Sequence, residues 1–371
     1  QNNGAKIFLT DNYEINTFDR DFKIIEKNSV LPYLSFNPDD GVILGARADF
    51  TDIELVRKPF TSRHSFGASY FFGTGGFEVE YEGEFAHAER THNLLLGAHY
   101  SSASSTSNFF GFGNETEYDR DEVSKDFNRI RISSYGAELG LVRRSKYGSS
   151  FKYKALFEGV KVEDTPGRFI SLYPEEMDFF DRMFFAGLEG TYAYESYDSS
   201  LNPAKGLHFS LTAGGKMNVE ETDNTFLYVK PYLELFTPIS TNERWVLNPR
   251  LQGQVNFLDG YEFFQAATLG GKSGLRSFRH ERFAGERSFA AGTDLRYTFP
   301  EIQGNFLPYQ LGIFGGYDIG RVWVDGEESD TWHQSYGGGF WMSVAKAAAA
   351  EFRLFHGVEG LRFSFGFEFG F

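Results

Sequence analysis

Apolar and polar residues alternate with a period of two along most of the chain from residue 31 onward. The alternation is clearest over residues 77–85, where mostly apolar odd positions flank a glutamate at every even position. Successive side chains of a strand point to opposite faces, so the four carboxylates share one face. That face must contact water, either in a barrel lumen or on the open side of a soluble sheet. The four residues are Glu78, Glu80, Glu82 and Glu84.

The C-terminal segment repeats the alternation with phenylalanine. Phe occupies every second position from Phe363 to Phe371, and the positions between them are polar, charged or glycine. On a soluble monomer such a face would be an aggregation hazard or the core strand of a sandwich. A final strand that ends in Phe at the last residue resembles the C-terminal signature of bacterial outer-membrane barrels.

The whole pattern predicts an all-β protein, a 16-stranded antiparallel transmembrane β-barrel over residues 31–371, with a short lead-in or periplasmic segment over 1–30. An even strand number is typical of bacterial single-chain barrels, as is the alternation of long outer loops with short periplasmic turns. The long connections are predicted at 105–126, 164–181 and 258–287, after the fifth, seventh and eleventh strands. The predicted strands are 31–37, 41–52, 62–73, 76–87, 93–104, 127–144, 149–163, 182–197, 206–219, 225–240, 243–257, 288–300, 308–324, 335–345, 347–357 and 361–371.

Composition supports a barrel and narrows the chemistry. Among 371 residues there are 42 Phe and 41 Gly, and aromatics make up 18%, yet the mean hydropathy is -0.37. An aromatic outside with a polar inside explains both values. The chain has no apolar run of 18 residues, which argues against a membrane-spanning helix. It has no cysteine, which excludes disulfides and thiolate metal sites, and its net charge of -15 argues against a nucleic-acid partner.

The segment 270–285, hereafter loop 270–285, is rich in glycine and in basic residues. It lies between two predicted strands and is too long for a hairpin turn. We predict that it is the sixth outer loop, that it folds back into the barrel lumen, and that Arg276 anchors it there. The alternative is that Arg276 is a solvated loop arginine. The basic residues are Lys272, Arg276, Arg279, His280 and Arg282.

Two motifs carry a resemblance to the BamA/TamA superfamily, also called the bacterial surface antigen family. Leu275, Arg276, Ser277 and Phe278 resemble its V/I/L-R-G-F/Y motif of the sixth outer loop, with Ser277 standing where glycine is usual. The segment 318–323 resembles the D-x-G-x-V-W segment of strand 13 and contains Asp318 and Gly320. The resemblance covers about residues 31–371. It implies that Arg276 enters the lumen and pairs with Asp318.

Strand parity agrees with that pairing. Asp318, Gly320 and Val322 lie on one face of the predicted strand, and the other face looks lipid-facing. Family members often carry an inward glutamate on strand 12 near the arginine. Arg296 occupies that position here, so we expect Asp294, two residues earlier on the same face, to serve as a second partner of Arg276.

Two weaker matches also fit the family, although each is compatible with an ordinary turn. Residues 110–116 (FGFGNET) resemble a glycine-rich start of the third outer loop, and 198–206 (DSSLNPAKG) resemble a periplasmic turn. The sequence contains neither G-x-S-x-G nor H-E-x-x-H, so we expect no enzyme activity, catalytic residue, cofactor or metal site. The acidic run from Glu115 to Glu122 is expected to be a solvated loop rather than a cation site.

The resemblance implies a role in the assembly, insertion or translocation of outer-membrane or surface proteins. It implies contact with outer-membrane lipid and lipopolysaccharide and with other outer-membrane or periplasmic assembly proteins. The family's assembly members carry POTRA domains, and residues 1–30 are too short for one, so a partner would supply them. Two alternatives remain: a non-catalytic accessory subunit or membrane anchor for a phosphoesterase- or patatin-like passenger enzyme, and a narrow pore.

In the family, the first and last strands pair weakly and their seam opens toward lipid. Here Pro32 cannot donate a ladder hydrogen bond, and glycines weaken the last strand. We therefore expect an easily opened lateral seam. Its predicted residues are Pro32, Tyr33, Gly366, Phe367, Gly370 and Phe371.

Overall fold

A computed structural model describes residues 27–369 except 55–56, 90, 106, 120, 173–179, 200–201, 305–306 and 346. Most of the predicted lead-in, residues 1–26, therefore lies outside the described residues, as do Gly370 and Phe371. The first strand begins at Lys27, four residues before the predicted start at residue 31.

Sixteen long strands form one closed antiparallel barrel, which confirms the predicted architecture. Each strand pairs with its neighbours in the sequence, and β1 closes the ring by pairing with β16. No helix in the described part of the chain is long and apolar enough to cross a membrane. The strands are β1 (Lys27–Asn37), β2 (Gly41–Glu54), β3 (Arg57–Phe71), β4 (Gly76–Glu89), β5 (His92–Ser101), β6 (Ile132–Arg144), β7 (Ser149–Val162), β8 (Arg182–Glu195), β9 (Gly206–Asn218), β10 (Thr225–Pro238), β11 (Trp245–Phe257), β12 (Arg287–Thr298), β13 (Pro308–Trp323), β14 (His333–Val344), β15 (Ala348–Gly357) and β16 (Gly360–Phe369).

The connections between the long strands contain short strands and 3-10 helices. The predicted sixth strand begins five residues late, at 132, because Arg129–Ile130 leaves the barrel wall to pair with Ser107–Asn108 inside the loop between β5 and β6. Ala267–Leu269 pairs with Phe283–Gly285 and forms a stem for loop 270–285. The remaining short elements are the strand Ile302–Gln303 and two 3-10 helices, Phe169–Leu172 and Phe263–Gln265.

The two faces of the wall differ as period-two patterning requires. On β12 and β13 the outward Leu295 and Ile313 are exposed, whereas Asp294 and Asp318 are buried. Phenylalanines form an outward ladder across the last three strands, with ring centroids 4.4 Å apart for Phe340 and Phe352. An apolar outer wall of this kind suits contact with hydrocarbon.

The largest buried apolar cluster lies among the loops rather than along the wall. The connections after β5, β7 and β11 each follow an odd-numbered strand, so they lie at the same end of the barrel. Phe109, Ile170 and Phe263 of these three connections pack with the ends of β7 and β8. We call this the loop cluster. Its residues are Phe109, Ile130, Val160, Val162, Ile170, Met183, Phe185, Phe263, Ala266 and Ala284.

Candidate functional site

Loop 270–285 makes a tight turn at its start that depends on glycine. Leu275 donates a backbone hydrogen bond to Gly270 O at 3.1 Å, and Ser273 donates to the same oxygen at 2.8 Å. Gly274 has φ +88°, a conformation that side chains strongly disfavour. A Cβ there would also overlap the side chain of Ala290 on β12. The loop therefore approaches the wall at a point where only glycine fits.

Two apolar side chains of the loop motif pack into the wall. Leu275 and Phe278 are each 0% exposed and cluster with Ala290 and Val322 of β12 and β13. Phe278 also lies 5.4 Å, ring to ring, from Phe283 in the stem. Full burial of such side chains contributes roughly 1.5–3 kcal/mol each. Buried apolar side chains therefore lie on both sides of Arg276 in the sequence.

That charged residue, Arg276, contacts both predicted partners. Its Nε donates to Asp318 Oδ2 at 2.8 Å, and its Nη2 donates to Asp318 Oδ1 at 2.6 Å. Its Nη2 and Nη1 also donate to the two oxygens of Asp294 at 2.7 and 3.1 Å. Phe355 of β15 covers the guanidinium at 3.9 Å from its ring centroid. Charge-assisted bonds to two carboxylates fix the plane of the guanidinium as well as its position.

A second arginine, Arg250 of β11, completes the group and was not predicted from the sequence. Its Nη1 donates to Asp294 Oδ2 at 2.8 Å, and its Nη2 lies 4.0 Å from Asp318 Oδ1. Two arginines then face two carboxylates, so the group is neutral overall. Period two places Arg250 on the inward face, but its depth along the strand depends on the register with β12.

Arg296, at the position where the sequence resemblance leads us to expect a glutamate, lies farther along β12 than Asp294. It donates to Asn202 in the turn after β8 and covers the rings of Phe236 and Trp341. Arg276 and Arg296 thus have different hydrogen-bond partners. Asp294 is the carboxylate of β12 that accepts from Arg276.

The two small residues of the motifs, Ser277 in the loop and Gly320 on β13, lie where the loop and its stem meet the wall. Ser277 is 1% exposed, and its hydroxyl and backbone N–H contact Ser335 Oγ of β14 at 2.6 and 3.1 Å. The serine at the usual glycine position therefore adds a bond to the wall. Gly320 lies against the stem, where a Cβ would come within 3.1 Å of Leu269 Cδ1.

Gly316 on β13 leaves the space that the guanidinium occupies, and this predicts a matched pair of variants. A Cβ at Gly316 would overlap Asp294 Oδ1 and lie 2.7 Å from Arg276 Nη2. A Cβ at the adjacent Gly315 would meet nothing closer than 3.9 Å. Gly316→Ala is expected to destabilise the barrel by about 1–3 kcal/mol through overpacking. Gly315→Ala is expected to leave stability nearly unchanged, measured by the thermal midpoint of heat-modifiable gel mobility. Equal midpoints for the two variants would contradict the account.

A further buried charge group surrounds Asp39, in the turn between β1 and β2, and was not found from the sequence. Asp39 is 0% exposed and accepts from Arg279 Nε at 3.0 Å and from Arg362 of β16. Arg129 Nη2 donates to its backbone oxygen at 2.5 Å. Burial would raise the pKa of Asp39, but the positive charges of Arg362 and Arg279 and the hydrogen bond from Arg279 outweigh it and lower the pKa to about 2. Asp39 is therefore ionised throughout the physiological range.

Two neighbours of this group carry shifted pKa values of their own. Burial, with the nearby charge of Lys272, lowers the pKa of His280 to about 4, so the imidazole is neutral at pH 7. Burial also raises the pKa of Glu281, whose carboxylate accepts from Ser107 Oγ and from the backbone N–H of Asn108 at 2.6 and 2.8 Å.

The segment 110–116 also contacts other loops. Asn114 is 0% exposed, and its backbone N–H donates to the carboxylate of Glu327 at 2.8 Å. Arg282 of loop 270–285 donates to Thr116 Oγ1 at 2.7 Å and pairs with Glu359 in the turn before β16. Among the described residues, no three His, Cys, Asp or Glu side chains are placed to hold a metal ion.

The seam is short within the described residues. β1 pairs with β2 from Lys27 to Asn37, but with β16 only over Leu34–Phe36 opposite Phe365–Phe367. Gly366 lies opposite Ser35, with nothing within 4 Å of a Cβ built on it.

The other seam residues differ in their neighbours. Phe367 lies opposite Leu34 rather than beside Tyr33, whose hydroxyl contacts Ser69 Oγ of β3. Pro32 lies opposite Ala46 on β2.

Comparisons with known proteins agree on this architecture. A family model described as the Omp85 superfamily domain matches residues 71–369. No curated protein matches the chain.

Among solved structures, BamA from Haemophilus ducreyi lacking POTRA domains 1-3 is similar at 14% identity and a TM-score of 0.64, over 92% of this chain and 70% of that one. CdiB from Acinetobacter baumannii is similar at 13% identity and a TM-score of 0.56, over 92% and 59%. CdiB from Escherichia coli is similar at 9% identity and a TM-score of 0.59, over 94% and 68%.

Proposed function

The chain belongs to the Omp85 superfamily and is a bacterial outer-membrane β-barrel, and from this premise we propose that it inserts or translocates outer-membrane or surface proteins through the seam between β1 and β16. The observation that carries the proposal is the short pairing at that seam, which covers Leu34–Phe36 among the residues that the structure describes. A net hydrogen bond contributes roughly 0.5–1.5 kcal/mol, so opening so short a ladder costs far less than separating any full-length neighbour pair.

An opened seam exposes the backbone of β1 as a template. Its N–H and C=O groups are then free to pair with an incoming strand, which is recognition by β-strand addition. Pro32 interrupts the donors on β1, which weakens the pairing with a bound strand and so favours its release. The substrate class that fits is an unfolded chain with strand-forming, alternating segments.

We further propose that loop 270–285 lies in the barrel lumen and is anchored there by Arg276. Its contacts with Asp294 and Asp318, on the face of β12 and β13 opposite the exposed Leu295 and Ile313, support this placement. A loop held there joins β12 to β13 through one guanidinium and stiffens that part of the wall. Outer-membrane lipid and lipopolysaccharide, and other outer-membrane or periplasmic assembly proteins, are the partners that fit this role.

Reconstitution tests the proposal directly. Liposomes that contain the full chain are expected to speed the folding of a urea-unfolded outer-membrane protein, followed by its heat-modifiable gel mobility. Liposomes with a sixteen-stranded porin at the same protein density serve as the control, because they supply a barrel and the same lipid defects without this seam.

A pull-down from native outer membranes completes the test. Co-purification with assembly subunits, and faster folding when those subunits are added, would support the proposal. A barrel that isolates alone and matches the porin control would contradict it and favour the accessory or anchoring role.

A further inference from the structure

The buried carboxylate of Asp39 lies where the backbone pairing of the seam stops. The last described pair toward the loop end is Phe36 with Phe365. Continuing that register beyond the end of β1 places Asp39 opposite Arg362, and these two side chains form an ion pair. A side-chain contact thus extends the seam by a further step after its ladder has ended.

The same carboxylate also contacts loop 270–285. Arg279 Nε donates to Asp39 Oδ1 at 3.0 Å, and the backbone N–H of His280 donates to Oδ2 at 3.2 Å. Arg279 in turn donates to Asn108 Oδ1 at 2.7 Å. One residue of the turn after β1 therefore joins β16 to the loop, and both of its carboxylate oxygens are used.

No neighbouring carboxylate among the described residues is placed to replace Asp39 as the partner of Arg279 and Arg362. Asp39 is fully buried, and Arg279 is 4% exposed. The neighbouring Asp40 is also fully buried, but its nearest basic group is Lys272 Nζ at 3.5 Å. Removing the carboxylate of Asp39 leaves Arg362 of β16 and Arg279 of loop 270–285 close together without the carboxylate that both of them contact.

We propose that Asp39 is a positioning residue that holds the loop end of the seam closed, and that loop 270–285 controls opening through Arg279. The inference rests on the proposed function only in taking the seam as the working site. Displacement of the loop removes the contacts of Arg279 and His280 that fix the orientation of the Asp39 carboxylate, which is then free to turn away from Arg362. Arg279 itself contacts neither of the paired segments of β1 and β16. In this proposal the loop regulates opening of the seam and does not merely occupy space in the barrel.

Amide hydrogen exchange of the purified full chain in detergent or lipid tests this hold without reference to activity. In Asp39→Asn, peptides that cover 34–36 and 365–367 are expected to exchange about tenfold faster than in the parent, because the charge that joins the two sides is lost. Peptides from β9 and β10, far from the seam in the ring, are expected to keep the parent rates and show that the barrel is folded.

Two loop arginines supply a matched comparison for the control by the loop. Arg279 and Arg282 are buried to 4% and 3% exposure in the same loop, but Arg282 pairs with Glu359 rather than with Asp39. Arg279→Gln is expected to speed exchange at the seam, and Arg282→Gln is expected to leave it near the parent rate. Equal exchange at the seam for these two variants would overturn the control by the loop.

The outcome stays decisive if Asp39→Asn fails to fold. Arg362→Gln removes only the β16 side of the contact and keeps Asp39 paired with Arg279, so it carries the same test with a milder change. Parent-like exchange at the seam in folded Arg362→Gln and Asp39→Asn would overturn the proposal. A barrel with a working hold and no insertion activity would instead count against the proposed function alone.

Discussion

Replacing Arg276 with alanine is expected to release loop 270–285 and to destabilise the barrel by about 3–5 kcal/mol, because the buried Asp294 and Asp318 are left, among the described residues, with only the partly exposed Arg250 as an ion-pair partner. Asp318→Ala is expected to destabilise the barrel to a similar degree. In that variant the unbalanced charge is positive, since Arg250 and Arg276 then share Asp294. Limited trypsin digestion followed by mass spectrometry detects the release as new cleavage after Lys272, Arg279 and Arg282. The thermal midpoint reports the loss of stability.

The double variant Arg276→Ala/Asp318→Ala gives a sharper test than either single change. It leaves Arg250 paired with Asp294 at 2.8 Å and restores neutrality to the group. We expect the double variant to be no less stable than either single variant, a strongly non-additive result typical of residues in one ion-pair network. The loop should still be cleaved, because its charged contact with β12 and β13 is gone.

Arg353→Ala is the control for these measurements. Arg353 pairs with Glu351, but both side chains are substantially exposed, at 45% and 37%. Exposed ion pairs contribute about 0–1 kcal/mol, so loop resistance and thermal midpoint should stay close to the parent. If Arg276→Ala is as resistant to trypsin as Arg353→Ala, the proposal that Arg276 anchors the loop fails and only the fold assignment survives.

Locking the seam with a disulfide between Leu34→Cys and Phe367→Cys is expected to abolish insertion activity, and reduction is expected to restore it. These positions are opposite each other across the seam, and the chain contains no other cysteine that could compete. A covalent bond prevents the separation of β1 and β16 that strand addition requires. The measurement is folding of an unfolded outer-membrane protein by the reconstituted barrel, before and after a reductant.

The control disulfide joins Ala46→Cys and Ala68→Cys, which are opposite each other on β2 and β3. It adds the same chemistry to the same end of the sheet but does not cross the seam, so activity should be unchanged by oxidation. A seam-locked barrel that is fully cross-linked on a gel and still active would contradict lateral opening.

Period-two patterning was enough to predict the strand number and nearly all strand positions, because one face of each strand contacts an apolar medium and the other does not. Parity also placed Asp294 and Asp318 on the face that contacts Arg276. Parity says nothing about depth along a strand, however. Arg250 and Arg296 are both inward-facing, yet only Arg250 reaches the group around Arg276.

Contacts that turns make with other parts of the barrel could not be predicted from the sequence for a different reason. Asp39 is one residue of a short polar turn, and no local pattern distinguishes it from an ordinary solvated aspartate. Its burial arises because β16 and loop 270–285 meet there, and that meeting depends on the closure of the whole ring. The same holds for the register at the seam, where Phe367 lies opposite Leu34 rather than beside Tyr33.

Ring closure by β1 and β16 has a consequence for how the barrel itself folds. Every other neighbouring pair of long strands is consecutive in the chain, whereas Asp39 and Arg362 are 323 residues apart. Contacts of such separation close the largest loop in the chain, so we expect them to form last. Until then the nascent protein is an open sheet with two unpaired edges, and such edges readily pair with other chains. Its own biogenesis therefore passes through a state that needs the kind of edge protection that the finished barrel is proposed to give to others.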